Sequence, residues 1–239
     1  MIKSNKFCVW HIGRCGSTVL SSMLNQHPQI NSVGEILERY SNSFKNLKYK
    51  PGSWTIGQLL VKYMMLCNRD NFFGFEIKVW HLFNLGISVK QTMEFMNQTN
   101  VQKHILLTRE NYLRILVSSY VAKQSLVWHI DSNSKHELIP IIVRPDELMY
   151  AIQEFSEFFT TLKSLLGDNY LWLIYEKDFY HNPKIACNKV TDFLNLERID
   201  PEVRLGITNP YSLKKMIVNY EEISNLLNGT DYEWMLENH

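Results

Sequence analysis

The sequence predicts an α/β layered fold, with a central, mainly parallel sheet flanked by helices. Three observations carry that reading. Short runs rich in β-branched and aromatic residues alternate with segments of helical period, the pattern of strands joined by helical crossovers. The runs are near-continuously apolar, as strands covered on both faces are. Each run is followed by charged or polar residues, and ligands of such sheets bind beyond the carboxyl ends of the strands.

The first run, FCVWHI at 7–12, is a strand that breaks at Gly13. A helix follows over 17–26, with Val19, Leu20, Met23 and Leu24 on one face and His27-Pro28 as its stop. Further strands are expected over 72–80, 103–108 and 169–175. Helices are expected over 111–123, over 146–166 between Pro145 and Gly167, and from Asn182-Pro183 to position 194. The residues that follow the four strands are Arg14, then His81, then Arg109, then Glu176 with Asp178.

No Pro/Gly/Ser-rich linker, repeat or low-complexity run interrupts the 239 residues, so the chain reads as a single domain over 1–239. A formal net charge of +1 calls for neither nucleic acid nor a heavily acidic polymer as partner, so positive charge for an anion must come from individual arginines. No apolar run is long enough to span a bilayer, and the N-terminus is too short and too polar for a secretory segment. Four scattered cysteines without a CxxC pair read as free thiols. A cytoplasmic location is the expectation, and the oligomeric state is open.

The segment GRCGST, 13–18, joins the first strand to its helix. Gly13 and Gly16 allow a tight turn and close backbone approach, the amides at the helix start point outward, and Ser17 and Thr18 add hydroxyl donors. Together these form an anion cradle, most naturally for a phosphate; a plain strand-to-helix turn capped by Ser17 or Thr18 is the structural alternative. An ATP-binding loop of the GxxxxGK[ST] type has a lysine, whereas here Arg14 stands two residues ahead of the second glycine. No strand obviously supplies a carboxylate for magnesium. His11, just before the loop, reads as structural or as positioning the loop.

GRCGST resembles the 5′-phosphosulfate loop, (P/G)R(S/C)GST, of sulfotransferases that use 3′-phosphoadenosine-5′-phosphosulfate (PAPS). The stretch LLTRENYLRILVSSYVAK, 106–123, is similar to the 3′-phosphate segment of that family, with Arg109, Asn111, Arg114, Val117 and Ser118 at the matching spacing. LIYEKDFYHNPKIACNKVTDFLNLE resembles the family's strand, YEDL turn and following helix, with Lys177 inserted before Asp178. The C-terminal stretch 209–236 is similar to that of bacterial members.

The resemblance implies a P-loop-type fold and transfer of a sulfuryl group from PAPS without a metal. Arg14, Cys15, Gly16, Ser17 and Thr18 would hold the phosphosulfate, and Arg109 with Ser118 the 3′-phosphate. The base falls to a histidine or a glutamate in different branches of the family. Glu35 matches the glutamate of the carboxylate-using branches and is the first candidate, although it also reads as a carboxylate opening a helix over 36–40. His81 is the rival. The acceptor surface is expected from 38–54 and from 128–144, where His129 and His136 lack an evident third metal ligand. A small acceptor such as a secondary metabolite, a sugar or a lipid headgroup is expected, modified at a hydroxyl or an amine. Two other classes stay open: a P-loop small-molecule kinase and a non-catalytic nucleotide-binding module.

Overall fold

A computed structural model of the chain describes residues 5–38, 71–129 and 137–237. These fall into two compact units, Met1–Thr108 with Phe159–Glu202, and Arg109–Phe158 with Val203–His239.

The first unit holds a five-stranded sheet in the order β2-β3-β1-β4-β5, every described pairing parallel. Its strands are β1 (Lys6–His11), β2 (Ile30–Glu35), β3 (Phe72–Lys78), β4 (Lys103–Thr108) and β5 (Tyr170–Ile174). The α/β class expected from the sequence is thus the observed one. β1, β3 and β4 are apolar almost throughout, and Phe7 to Trp10, Phe75, Ile77 and Ile105 to Leu107 are buried. Phe7 pairs with Gly74, and a Cβ there would fall 2.1 Å from the Phe7 ring, so the strand gives up a side chain to seat the aromatic. Leu20, Met23 and Leu24 bury one face of helix α1 (Ser17–Leu24).

The chain leaves β1 for the β2 edge, returns as β3 on one side of β1, and passes to β4 on the other. The carboxyl ends of β1, β3 and β4 therefore flank the point where the order reverses, the usual ligand crevice of an open parallel sheet.

Two differences from the sequence reading bear on function. β3 stops at Lys78 and the backbone turns into a short helix, α2 (Val79–Leu85), so Val79 and Trp80, expected to end the strand, and His81, expected to follow it, lie on a helix. A strand not expected from the sequence, β2, runs to Glu35, so this residue ends a strand. Two further described helices of this unit are α3 (Val89–Gln98), opened by a Ser88/Gln91 capping box, and α6 (Lys184–Leu194), which buries Ala186, Cys187, Val190 and Leu194.

The second unit packs α4 (Tyr112–Ser125), α7 (Leu213–Met216) and α8 (Tyr220–Leu227) around Leu113, Val117, Val121, Met216, Ile223 and Leu227, with Leu148 and Ile152 of α5 (Pro145–Leu166). α4 starts at an Asn111 cap whose side chain accepts from Arg114 N–H (2.9 Å) and donates to the Met235 carbonyl (3.0 Å). No described helix is long and apolar enough to cross a membrane.

Candidate active site

The loop between β1 and α1 is held by backbone conformations that few side chains tolerate. Gly13 and Gly16 take φ of 92° and 89°, and between them Arg14 takes 54°. A non-glycine residue in the left-handed region costs roughly 1–2 kcal/mol, a strain that clusters at ligand-binding turns. No side chain caps α1, so neither Ser17 nor Thr18 is spent as an N-cap and the first-turn amides face outward. Ser17 and Cys15 are buried, Arg14 is half-buried and Thr18 is exposed. Tyr175 and Phe179 stack on each other and approach Gly16, where an added Cβ would lie 3.1 Å from the Phe179 ring.

A lysine reaches the loop from outside it. Lys78, the last residue of β3, lays its side chain over Gly13, so that a Cβ there would sit 2.8 Å from Lys78 Cε and 3.4 Å from Nζ. The lysine absent from the loop's own sequence thus lies over it from the neighbouring strand, a placement that the sequence along the loop does not display. The register places it: His11, the last residue of β1, pairs with Lys78, and Gly13 follows it by two residues in the loop.

Glu35 reaches the same place through an irregularity in β2. Ser32 pairs with Gly74 and Glu35 with Glu76, so Val33 and Gly34 together stand opposite Phe75. Gly34 takes φ 71° in this bulge. Side chains alternate along a strand, and one extra residue moves every later side chain to the other face. The bulge therefore puts Glu35 on the face that carries Glu76, Lys78 and His11.

The resulting cluster is tight. Glu35 Oε2 lies 3.7 Å from Lys78 Nζ and 3.6 Å from His81 Nε2, and Oε1 lies 3.9 Å from His11 Nε2. Glu76 Oε2 is 3.2 Å from His11 Nε2. Both sequence candidates for the base, Glu35 and His81, thus meet at one point. Burial, helped by the charge of Lys78, lowers the His81 pKa to about 4 and keeps the ring neutral at ordinary pH. Burial opposes a second proton on His11, while the neighbouring Cys15 and Glu76 favour one. Gly13 N–H donates to His11 Nδ1 (3.1 Å), so Nε2 carries the first proton and a second would break that bond.

His11, Glu35 and Glu76 offer ligand atoms within 4.8 Å of one another, a donor set of metal-binding type. Against that use, Gly13 N–H fixes the proton on Nε2, the nitrogen that a metal would need bare, and the Lys78 ammonium stands on the open side of Glu35. Glu76 was not foreseen from sequence. A single acidic residue in FFGFEIK reads as an interruption, and only the register reveals its partner.

In the second unit, Arg109 precedes α4 and is half-buried, whereas Ser118 is buried on the helix. Arg114, between them in the matched pattern, donates to the Tyr211 carbonyl at 2.8 Å and fastens the helix. Of the residues after β5, Asp178 is buried, accepts from Ile174 N–H (2.8 Å) and pairs with Lys189 (2.6 Å). Of the stretches expected to bind the acceptor, 39–54 and 130–136 lie outside the described residues, Asp131 and His136 among them.

No protein-family model matches the chain, and no curated protein does. Among solved structures, it is similar to a sulfotransferase from Alicyclobacillus acidocaldarius at 16% identity, covering 94% of this chain and 91% of that one, with a TM-score of 0.55. A mouse sulfotransferase, SULT7A1, complexed with PAP, is matched at 10% identity over 98% of this chain and 88% of that one, with a TM-score of 0.47. At these identities the likeness is one of fold: an α/β sheet flanked by helices, as in sulfotransferases.

Proposed function

We propose that the protein is a sulfotransferase that moves the sulfuryl group of PAPS to a hydroxyl or amine of a small acceptor, such as a secondary metabolite. The observation that carries the reading is the convergence of a candidate base, Glu35, and a strand-borne lysine, Lys78, on the anion loop. The acceptor oxygen attacks sulfur in line, Glu35 takes its proton, and the bond from sulfur to the donor phosphate breaks. Arg14, Lys78, Ser17, Thr18 and the loop amides stabilise the charge that grows on the leaving phosphate. His81, neutral and beside Glu35, orients the carboxylate or shares its role. By the resemblance of its segment, the 3′-phosphate falls to Arg109 and Ser118. No metal takes part in these steps.

Lys78 also supports a second reading. A lysine over a glycine-rich loop suits the phosphates of ATP, and a small-molecule kinase would use magnesium. Thermal stability separates the two, because a ligand that binds only the folded state raises the melting temperature. The sulfotransferase reading expects stabilisation by 3′-phosphoadenosine-5′-phosphate (PAP) in the presence of EDTA and little by ATP with magnesium. Stabilisation by ATP-magnesium alone would overturn it.

A further inference from the structure

His11 is fully buried at the end of β1, yet both of its nitrogens face groups of functional consequence. Nδ1 accepts from Gly13 N–H at 3.1 Å, an amide of the anion loop itself. Nε2 has no well-aligned acceptor although Glu76 Oε2 is 3.2 Å away and Glu35 Oε1 3.9 Å away. One N–H thus stands between two carboxylates and can serve only one at a time. Glu76, 4% exposed in an interior strand, is an expensive residue to keep there. Burying a carboxylate costs several kcal/mol after relaxation, and apolar residues of similar size are commonly as stable in such positions. The sheet has no structural need of the charge.

We propose that His11 and Glu76 form a positioning pair that ties the orientation of Glu35 to the conformation of the donor loop. This rests on the reading of Glu35 as the base. Gly13 N–H fixes the tautomer, Glu76 at 3.2 Å is the nearer partner of the Nε2–H and holds the ring at rest, and with donor bound the Nε2–H swings to Glu35 Oε1, 3.9 Å away, which leaves Oε2 turned toward Lys78, His81 and the acceptor. As the acceptor proton arrives on Glu35, its negative charge disappears and the Nε2–H turns to Glu76. That hydrogen stays on nitrogen throughout, so the pair moves no proton of its own. A loop displaced from its ligand-binding shape would loosen the ring, and with it the base.

The two nitrogens can be separated by substitution. His11→Asn keeps an acceptor at the place of Nδ1 and removes the Nε2 donor. His11→Gln restores an amide near Nε2, and Glu76→Gln removes the charge with little change in size. The probes are PAP binding by calorimetry and the turnover of PAPS with water as acceptor. We expect His11→Asn and Glu76→Gln to bind PAP within about threefold of the parent and to lose roughly 10–100-fold in turnover, the scale of a misplaced reacting group. His11→Gln should recover part of the loss. Nitrogen NMR of the parent protein should show His11 protonated at Nε2 and bare at Nδ1, a readout that requires neither turnover nor a known acceptor. Parent-like turnover in both the His11→Asn and the Glu76→Gln proteins, or a proton on Nδ1, overturns the proposal. So does stoichiometric zinc or manganese binding that His11→Asn abolishes, since the triad would then be a metal site. Failure of the parent to bind PAP would instead sink the sulfotransferase reading, while the NMR result would still decide the tautomer.

Discussion

Lys78 stands over Gly13 because β1 and β3 run in register, and the glycine is what leaves room for it. Two separate features make Gly13 hard to replace: a φ of 92° that side-chain-bearing residues avoid, and a Cβ position 2.8 Å from Lys78 Cε. If the ammonium binds the donor, Lys78→Met should weaken PAP about tenfold or more, the range for losing a charged hydrogen bond. Gly13→Ala should weaken it as well, partly by pushing the lysine aside and partly by strain in the loop. Because both act through one contact, their effects in a double-mutant cycle should fall short of additive. Calorimetric PAP affinities of the four proteins check this. Full additivity would mean that the lysine and the glycine serve the ligand separately.

At the scale of elements, β2 shows how one inserted residue can place a functional group. Deleting Gly34 should restore plain alternation and turn Glu35 to the opposite face, away from His11 and Lys78. The deletion is expected to keep PAP affinity and to lower PAPS turnover to that of Glu35→Gln. Gly34→Ala, by contrast, meets no atom within 4 Å of its Cβ and should cost only about 1 kcal/mol of conformational strain. If the deletion variant turned over PAPS as fast as the parent, the bulge would not be what aims Glu35. This strand was also the least legible part of the sequence. INSVGE mixes polar residues with glycine and buries only Ile30 and Ser32, so it carries neither the apolar run nor the alternation that signals a strand. KHILLT, an apolar run bounded by polar residues, was legible to its ends as β4. VWHLFNL misled in the other direction, because its aromatic and β-branched content favours a strand while the backbone after Lys78 turns helical. The extra Lys177 was visible as an insertion, and the structure absorbs it in a π-helical turn, Tyr175–Phe179, the usual result of one residue added to a helix. The loop, Glu35 and the strand-end positions could be read along the chain, but Lys78 and Glu76 join them through pairing between distant strands, which no single segment displays.

For the molecule as a whole, two neutral histidines link stability to pH. His104 in β4 is buried, accepts the Trp10 indole N–H at Nδ1 (3.2 Å), and has its pKa lowered to about 4 by burial, against a smaller opposing hydrogen bond to Val101. His81 is lowered to about 4 as well. Both lie below the unfolded value of 6.5, so between pH 4 and 6.5 the unfolded chain binds more protons than the folded one. The contribution of these two histidines to stability then rises with pH across that window, is fully present above 6.5, and is lost as pH falls toward 4. For His104 the full effect is on the order of 3 kcal/mol, a large share of the 5–15 kcal/mol that holds an ordinary domain together. His104→Asn retains an acceptor for the Trp10 indole but cannot titrate. Urea unfolding from pH 4.5 to 7.5 should therefore give a shallower pH slope for this variant than for the parent, even if its stability at pH 7.5 is lower. Parallel slopes would show that His104 takes up its proton without disturbing the fold, and that its bond to Trp10 is dispensable.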